Sequence, residues 1–188
     1  MGRRVGLMGC AVSFLLVASP VAAQSNDDDD TKDGLRVRVG LSFVSGIVEV
    51  PYTSLETDPT TVGISVRVGV QLNGHFAIYD QINLTAFWLQ MREAVFFEWT
   101  PVDYFSIGVG PAIEWVADIG GSADSDWSLG GSLRLALHLP YSHGIHHRRR
   151  AVSFSVEVSP SYAFAGWNTY STSGFQLGVL GGIGVEFY

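Results

Sequence analysis

The sequence predicts an all-β fold, an eight-stranded antiparallel up-and-down transmembrane β-barrel, on three observations. From Leu35 onward, apolar side chains recur at every second position in eight successive segments. That is the period of a strand with one apolar face, not of a helix. The number of segments is even, and each runs for about the 9–11 residues that a tilted strand needs to cross a bilayer. The other face of these strands is mostly glycine, serine and alanine with a few charges of both signs, a composition that suits a narrow interior better than a wetted surface.

The strands follow in order. The first carries Leu35, Val37, Val39, Leu41 and Phe43 on one face, with Arg36, Arg38, Gly40 and Ser42 on the other. The second alternates Val62, Ile64, Val66, Val68, Val70 and Leu72 with Gly63, Ser65, Arg67, Gly69 and Gln71, and Asn73-Gly74 follows as a hairpin signal. The third sets Phe76, Ile78, Ile82, Leu84, Ala86 and Trp88 against Ala77, Tyr79, Gln81, Asn83 and Thr85. Asp80 falls on its apolar face, where a bulge or a place near the membrane surface would absorb it. The fourth, read over Ala94–Thr100, sets Val95, Phe97 and Trp99 against Phe96 and Glu98, and Pro101-Val102-Asp103 makes a turn. The fifth sets Phe105, Ile107, Val109, Ile113 and Trp115 against Ser106, Gly108, Gly110, Ala112 and Glu114, with Pro111 awkwardly on the apolar face. The sixth sets Trp127, Leu129, Leu133, Leu135, Leu137 and Leu139 against Ser128, Gly130, Ser132, Arg134, Ala136 and His138. The seventh sets Val152, Phe154, Val156, Val158, Tyr162 and Phe164 against Ser153, Ser155, Glu157, Ser159 and Ser161. The eighth sets Phe175, Leu177, Val179, Ile183, Val185 and Phe187 against Gln176, Gly178, Gly182, Gly184 and Glu186.

The connections alternate in length. Those after the second and fourth strands are short, and those after the first, fifth and seventh are long and rich in polar residues, glycine or proline. Short turns at one end and long loops at the other mark a membrane barrel, with the turns and both termini periplasmic. The brief third-to-fourth connection and the long sixth-to-seventh one, Pro140–Arg150, depart from that rule.

Ahead of the barrel domain, residues 35–188, the N-terminus reads as a secretory signal peptide over residues 1–23. Arg3 and Arg4 precede the largely apolar stretch Val5–Val17, and Val21-Ala22-Ala23 is a small-x-small cleavage site. A buried N-terminal helix is the alternative, and the cleavage pattern opposes it. Leu7-Met8-Gly9-Cys10 has the look of a lipid-attachment box, but the apolar stretch before Cys10 is too short and continues past it. Residues 24–34, with Asp27–Asp30, Lys32 and Asp33, form an acidic flexible lead-in without the spaced ligands of a calcium loop. The formal charge of −7 argues against a nucleic-acid binder, whose phosphate contacts need clustered bases. Beyond residue 23 no apolar run reaches the ~20 residues of a membrane helix.

Which face turns outward decides the function. The polar face carries Arg36, Arg38, Arg67 and Arg134 against Glu98, Glu114, Glu157 and Glu186, four of each sign and no lysine. Enclosed charges need partners, and arginine holds multiply bonded pairs best, so this set predicts a lumen charge network. Small residues beside it leave room for long side chains in a lumen of only eight strands. Trp88, Trp99, Phe105, Trp115, Trp127, Tyr162, Phe164 and Phe187 lie near strand ends, where aromatic rings favour the headgroup level. The segment Gly178–Tyr188 resembles the last strand of bacterial outer-membrane barrels. Together with the strand pattern over about residues 35–188, it makes the chain similar to the small eight-stranded bacterial outer-membrane β-barrel superfamily. The resemblance implies a bacterial outer-membrane location, contact with outer-membrane lipid, and a terminal aromatic that the barrel-assembly machinery reads. Phe187 has the lipid-facing parity of that signal, and Tyr188 lies one residue beyond it.

No catalytic constellation is evident, and no cofactor or metal is expected. His143, His146 and His147 with Arg148–Arg150 form a solvated basic turn rather than a metal site, because a turn supplies no second shell of partners. That turn would face anionic headgroups or cell-wall material. No Gly-x-Ser-x-Gly elbow occurs. Rim candidates for a membrane-embedded enzyme, Glu49, Asp118, Asp124, Asp126 and Asn168, form no arrangement. The expectation is a barrel with a plugged lumen and a structural or surface-interaction role. The alternatives are a narrow channel or small lipophilic-ligand binder, and a soluble lipocalin-like carrier with the faces reversed.

Overall fold

The computed structural model describes residues 36–49, 60–86, 89–117, 125–143, 149–164 and 174–187. The expected signal peptide and acidic lead-in lie outside them, as do Trp88, Asp118, Asp124, His146, His147, Arg148, Asn168 and Tyr188.

Eight strands run in chain order: β1 (Arg36–Glu49), β2 (Thr60–Gln71), β3 (Phe76–Ala86), β4 (Leu89–Val102), β5 (Phe105–Ala117), β6 (Ser125–His143), β7 (Arg149–Ala163) and β8 (Gly174–Phe187). Each pairs antiparallel with the next, and β8 returns to β1, so the sheet closes on itself. A row of paired residues leaves β1 at Val37 and passes through Val70, Ile78, Phe97, Val109, Leu133, Val158 and Val179. It re-enters β1 at Ile47, ten residues further along. A stagger of that size in eight strands goes with a tilt of about 40° to the barrel axis.

The strands extend further than the alternation alone suggested, and this shortens the connections. The one between β6 and β7 is reduced to residues 144–148 and the one between β3 and β4 to 87–88. Residues 72–75 and 103–104 lie at one end of the barrel, here the turn end, where β1 and β7 also start and β8 closes. The closing residues of β1, β3, β5 and β7 lie at the other, the loop end. At the turn between β2 and β3, Asn73 Oδ1 accepts from the backbone N–H of His75 (2.8 Å) and Phe76 (2.9 Å). The turn is therefore longer than a two-residue hairpin and is closed by the asparagine side chain. The His75 carbonyl accepts from Thr100 N–H at 2.7 Å, tying this turn to the closing residues of β4.

The two faces are the reverse of those in a water-soluble protein. Val37 (61% exposed), Phe43 (56%), Phe97 (56%) and Leu139 (55%) stand on the outer surface, while Arg134, Glu98 and Glu186 are each 1% exposed. Apart from Val44 and Leu180, the buried apolar residues are alanines and the pair Tyr79 and Phe96, stacked with ring centroids 5.3 Å apart against the β3–β5 wall. An exposed aliphatic sheet of this extent far exceeds the patches a soluble monomer carries.

Asp80 corrects the sequence reading, and Pro111 stands on the face where that reading put it. Asp80 sits in unbroken register with Val68 on β2 and Val95 on β4, without a bulge and away from either strand end. It is half-buried on the outer surface. Pro111 is exposed on the same surface, opposite Gly131, and leaves a gap in the β4–β5 pairing because it has no N–H to give.

Candidate functional site

The lumen is built by alternation, because every strand that turns an aliphatic residue out turns its neighbour in. The inward side chains form two layers, one toward each end.

The turn-end layer centres on Glu186, from the last turn-end stretch of β8. Arg38 on β1 donates from Nη2 to Glu186 Oε2 at 2.5 Å. Arg134 on β6 donates from Nη2 to Oε1 at 3.0 Å, and Arg67 Nη1 on β2 lies 3.1 Å from Oε1. Three guanidiniums thus share one carboxylate. Arg38 also donates from Nη1 to Glu98 on β4. Arg134 Nη1 and the Tyr79 hydroxyl both donate to Glu98 Oε2, at 3.1 and 2.9 Å. Arg38 Cζ lies 5.3 Å from the centroid of the Tyr79 ring, a cation–π contact. His138 Nδ1 is 3.7 Å from Glu186 Oε2, and its Nε2 is hydrogen-bonded to Ser106 Oγ at 2.8 Å. Side chains from β1, β2, β3, β4, β5, β6 and β8 meet in this layer.

The loop-end layer holds two carboxylates and one guanidinium. Arg92 on β4 donates from Nε (3.1 Å) and Nη2 (2.7 Å) to Glu114 Oε2 on β5, and Gln90 Nε2 donates to Glu114 Oε1. Glu157 on β7 is held mainly by neutral donors. Gln81 Nε2 reaches it across the lumen from β3 at 2.5 Å, and Asn83 Nδ2 at 3.1 Å. Ser159 Oγ and Ser132 Oγ donate at 3.1 and 3.2 Å, and Arg92 Nη1 stands off at 3.9 Å.

Two glycines make room for this. A Cβ on Gly40 would lie 2.7 Å from Arg67 Nε, and one on Gly178 would lie 2.6 Å from Arg92 Nη2. Both fall below any real Cβ contact, so these guanidiniums occupy the space that a side chain would take.

The structure brings together Arg38, Arg67, Arg134, Glu98 and Glu186 in one layer and Glu114 and Glu157 in the other. Arg36 is the exception. Its parity points inward, but it is the first residue of β1 and lies exposed at the turn end, below the layer it was assigned to. Arg92 takes its place among the enclosed charges, so among the described residues the lumen holds four arginines and four glutamates. Sequence reasoning missed Arg92 because it ended the fourth strand at Ala94. The signal was present in Gln90, Arg92, Ala94, Phe96 and Glu98, hidden by Glu93 on the opposite face. It also passed over His138 and Tyr79 as partners.

On the outer surface, Trp99 pairs with Phe76 at the turn end, and half-buried Phe105 and exposed Phe187 lie near the same end. At the loop end Trp115 pairs with Trp127 (ring centroids 6.4 Å), and Tyr162 meets Phe164 edge-on (5.2 Å). Phe105 and Trp115 stand ten positions apart along β5. At that tilt they span about 25 Å, the height of a membrane barrel's apolar band.

No protein-family model matches the chain, and no curated protein matches it. Among solved structures the chain is similar to the crystal structure of Ail, the attachment invasion locus protein of Yersinia pestis, in complex with the heparin analogue sucrose octasulfate. The identity is 11% and the TM-score 0.48, over 82% of this chain and 98% of that one.

Proposed function

We propose that the chain is an integral barrel of the bacterial outer membrane, with a lumen plugged by its own charges and a structural or surface-interaction role carried by the loop end. One observation carries the reading: a band of exposed aliphatic side chains, edged by aromatic residues, surrounds a wholly enclosed set of arginines and glutamates. Water would penalise that arrangement at both faces, whereas a bilayer solvates the outer one and leaves the charges to satisfy one another. The cross-lumen bonds from Arg38, Arg134 and Gln81 obstruct a bore already filled by side chains, which favours a plug over a channel. The proposed contacts are outer-membrane lipid around the band and the barrel-assembly machinery at the Phe187 end of β8.

The test is extraction of the exported protein from membranes. The expected result is detergent-dependent solubility, heat-modifiable migration on gels and no steady conductance in planar bilayers. A monomer stable in plain buffer would overturn the membrane reading, and reproducible open levels would overturn the plug.

A further inference from the structure

Outside the lumen, exposed arginine among the described residues is confined to the turn end, and both such arginines flank the last strand. Arg150, near the start of β7, has outward parity and pairs with Phe187 on β8. Its Cζ lies 5.9 Å from the centroid of the Phe187 ring. Phe187 pairs on its other side with Val39, three residues into β1 from Arg36, which is exposed at the same end. Neither arginine belongs to the ion pairs formed among the described residues.

We infer that Arg150, stacked on Phe187, forms a binding site for the phosphate of an anionic glycerophospholipid in the leaflet at the turn end. The inference rests on the membrane reading above. The Phe187 ring supports the guanidinium from one side, limiting its freedom while leaving its N–H fork available, and a planar fork matches a phosphate bidentately. The position also fits. Phe187 lies at the aromatic edge of the apolar band, so an arginine stacked on it stands at headgroup depth. Charge complementarity selects the partner, because a net anionic headgroup gains from a cation that a zwitterionic one partly cancels. The consequence is a lipid clamp on β8, the strand whose pairing to β1 closes the barrel.

The experiment uses the full chain purified from membranes and incorporated into nanodiscs of phosphatidylcholine with a minor fraction of phosphatidylglycerol of the same acyl chains. Lipid retained after mild delipidation is read by native mass spectrometry. The wild type is expected to enrich phosphatidylglycerol, and Arg150→Gln to lower that enrichment about fivefold, whereas Arg36→Gln, at an inward-parity position, is expected to leave it unchanged. Phe187→Leu keeps the charge and is expected to lose part of the enrichment. Arg150→Lys, a point charge without the fork, is expected to fall between wild type and Arg150→Gln. Each variant is first checked for heat-modifiable migration, so that only folded barrels are compared. A folded Arg150→Gln with wild-type enrichment, or no enrichment in the wild type, overturns the lipid site and leaves the barrel reading intact. Failure of the wild type to enter any bilayer overturns the membrane reading and this inference with it.

Discussion

In the turn-end half of the lumen three arginines share two glutamates, whereas in the loop-end half two glutamates share one arginine. The two halves therefore solve the same problem differently. Near the turns, ion pairing predominates, and Glu186 accepts from three strands at once. Near the loops, Glu157 is surrounded by amides and hydroxyls that stabilise a carboxylate without neutralising it. A guanidinium that loses its carboxylate in an enclosed site is left charged and unpaired, and that is costly. An amide that loses a charged acceptor but keeps a neutral one is hardly disturbed. The halves should thus differ sharply in what the removal of one charge does.

The largest effect is expected at Glu186. Glu186→Gln removes the shared charge from Arg38, Arg67 and Arg134 while nearly preserving volume. Uncompensated buried charge of this kind costs about 3–5 kcal/mol, a large part of the stability of a domain this size. Urea unfolding in lipid vesicles should show the midpoint fall by that equivalent, and heat-modifiable migration should be lost at a lower temperature. Glu157→Gln should cost much less, about 1 kcal/mol, because a glutamine oxygen can still accept from Gln81 and Asn83, while the two serine hydroxyls, which donate to the other oxygen, can turn to accept from the new amide. Equal losses for the two variants would erase the distinction between the halves.

Room for the guanidiniums gives an intermediate effect. Gly40→Ala in the turn-end half and Gly178→Ala in the loop-end half each force an arginine to move, at about 1–3 kcal/mol. The halves should separate again. Arg67 has Ser42 (2.5 Å) and Glu186 to hold it in place, so Gly40→Ala disturbs the crowded carboxylate. Arg92 is held by Glu114 alone at close range, so the cost of Gly178→Ala should shrink when it is measured against Arg92→Met alone, a background without the guanidinium. An equal cost of Gly178→Ala in both backgrounds would show that the glycine is there for another reason.

How much of this was legible in the sequence depended on the strand. Eight alternating segments, the faces and most of the enclosed charges could be read because a period of two survives in a single sequence wherever lipid and lumen meet on opposite sides. It failed where one residue broke the alternation. Glu93 on the outer face cut the fourth strand short and hid Arg92. Arg36 shows the opposite error, since parity says which way a side chain points but not whether the barrel reaches that far along the axis. The partition into layers was not legible, because it depends on the ten-residue stagger, which brings Arg38 and Glu186 level although they are remote in sequence. Nor could spacing reveal that Gln81 would cross the lumen to Glu157.

The smallest expected effect concerns a carboxylate on the wrong side of the same wall. Asp80 is half-buried among outward aliphatic residues, with Ile78 and Ile82 beside it on β3 and Val68 and Val95 across from it. No guanidinium is paired with it among the described residues. Charged side chains on the lipid face of a barrel are destabilising, and carboxylates less so than bases. Asp80→Val should therefore stabilise the folded barrel by about 1 kcal/mol in vesicles, raising the urea midpoint where every lumen variant lowers it. That reversal separates the walls of the barrel from its contents: removing a carboxylate harms the protein on one side of the sheet and helps it on the other. A lowered midpoint for Asp80→Val would mean that Asp80 has a partner on the outer surface, and the apolar band would then be an incomplete description of what that surface meets.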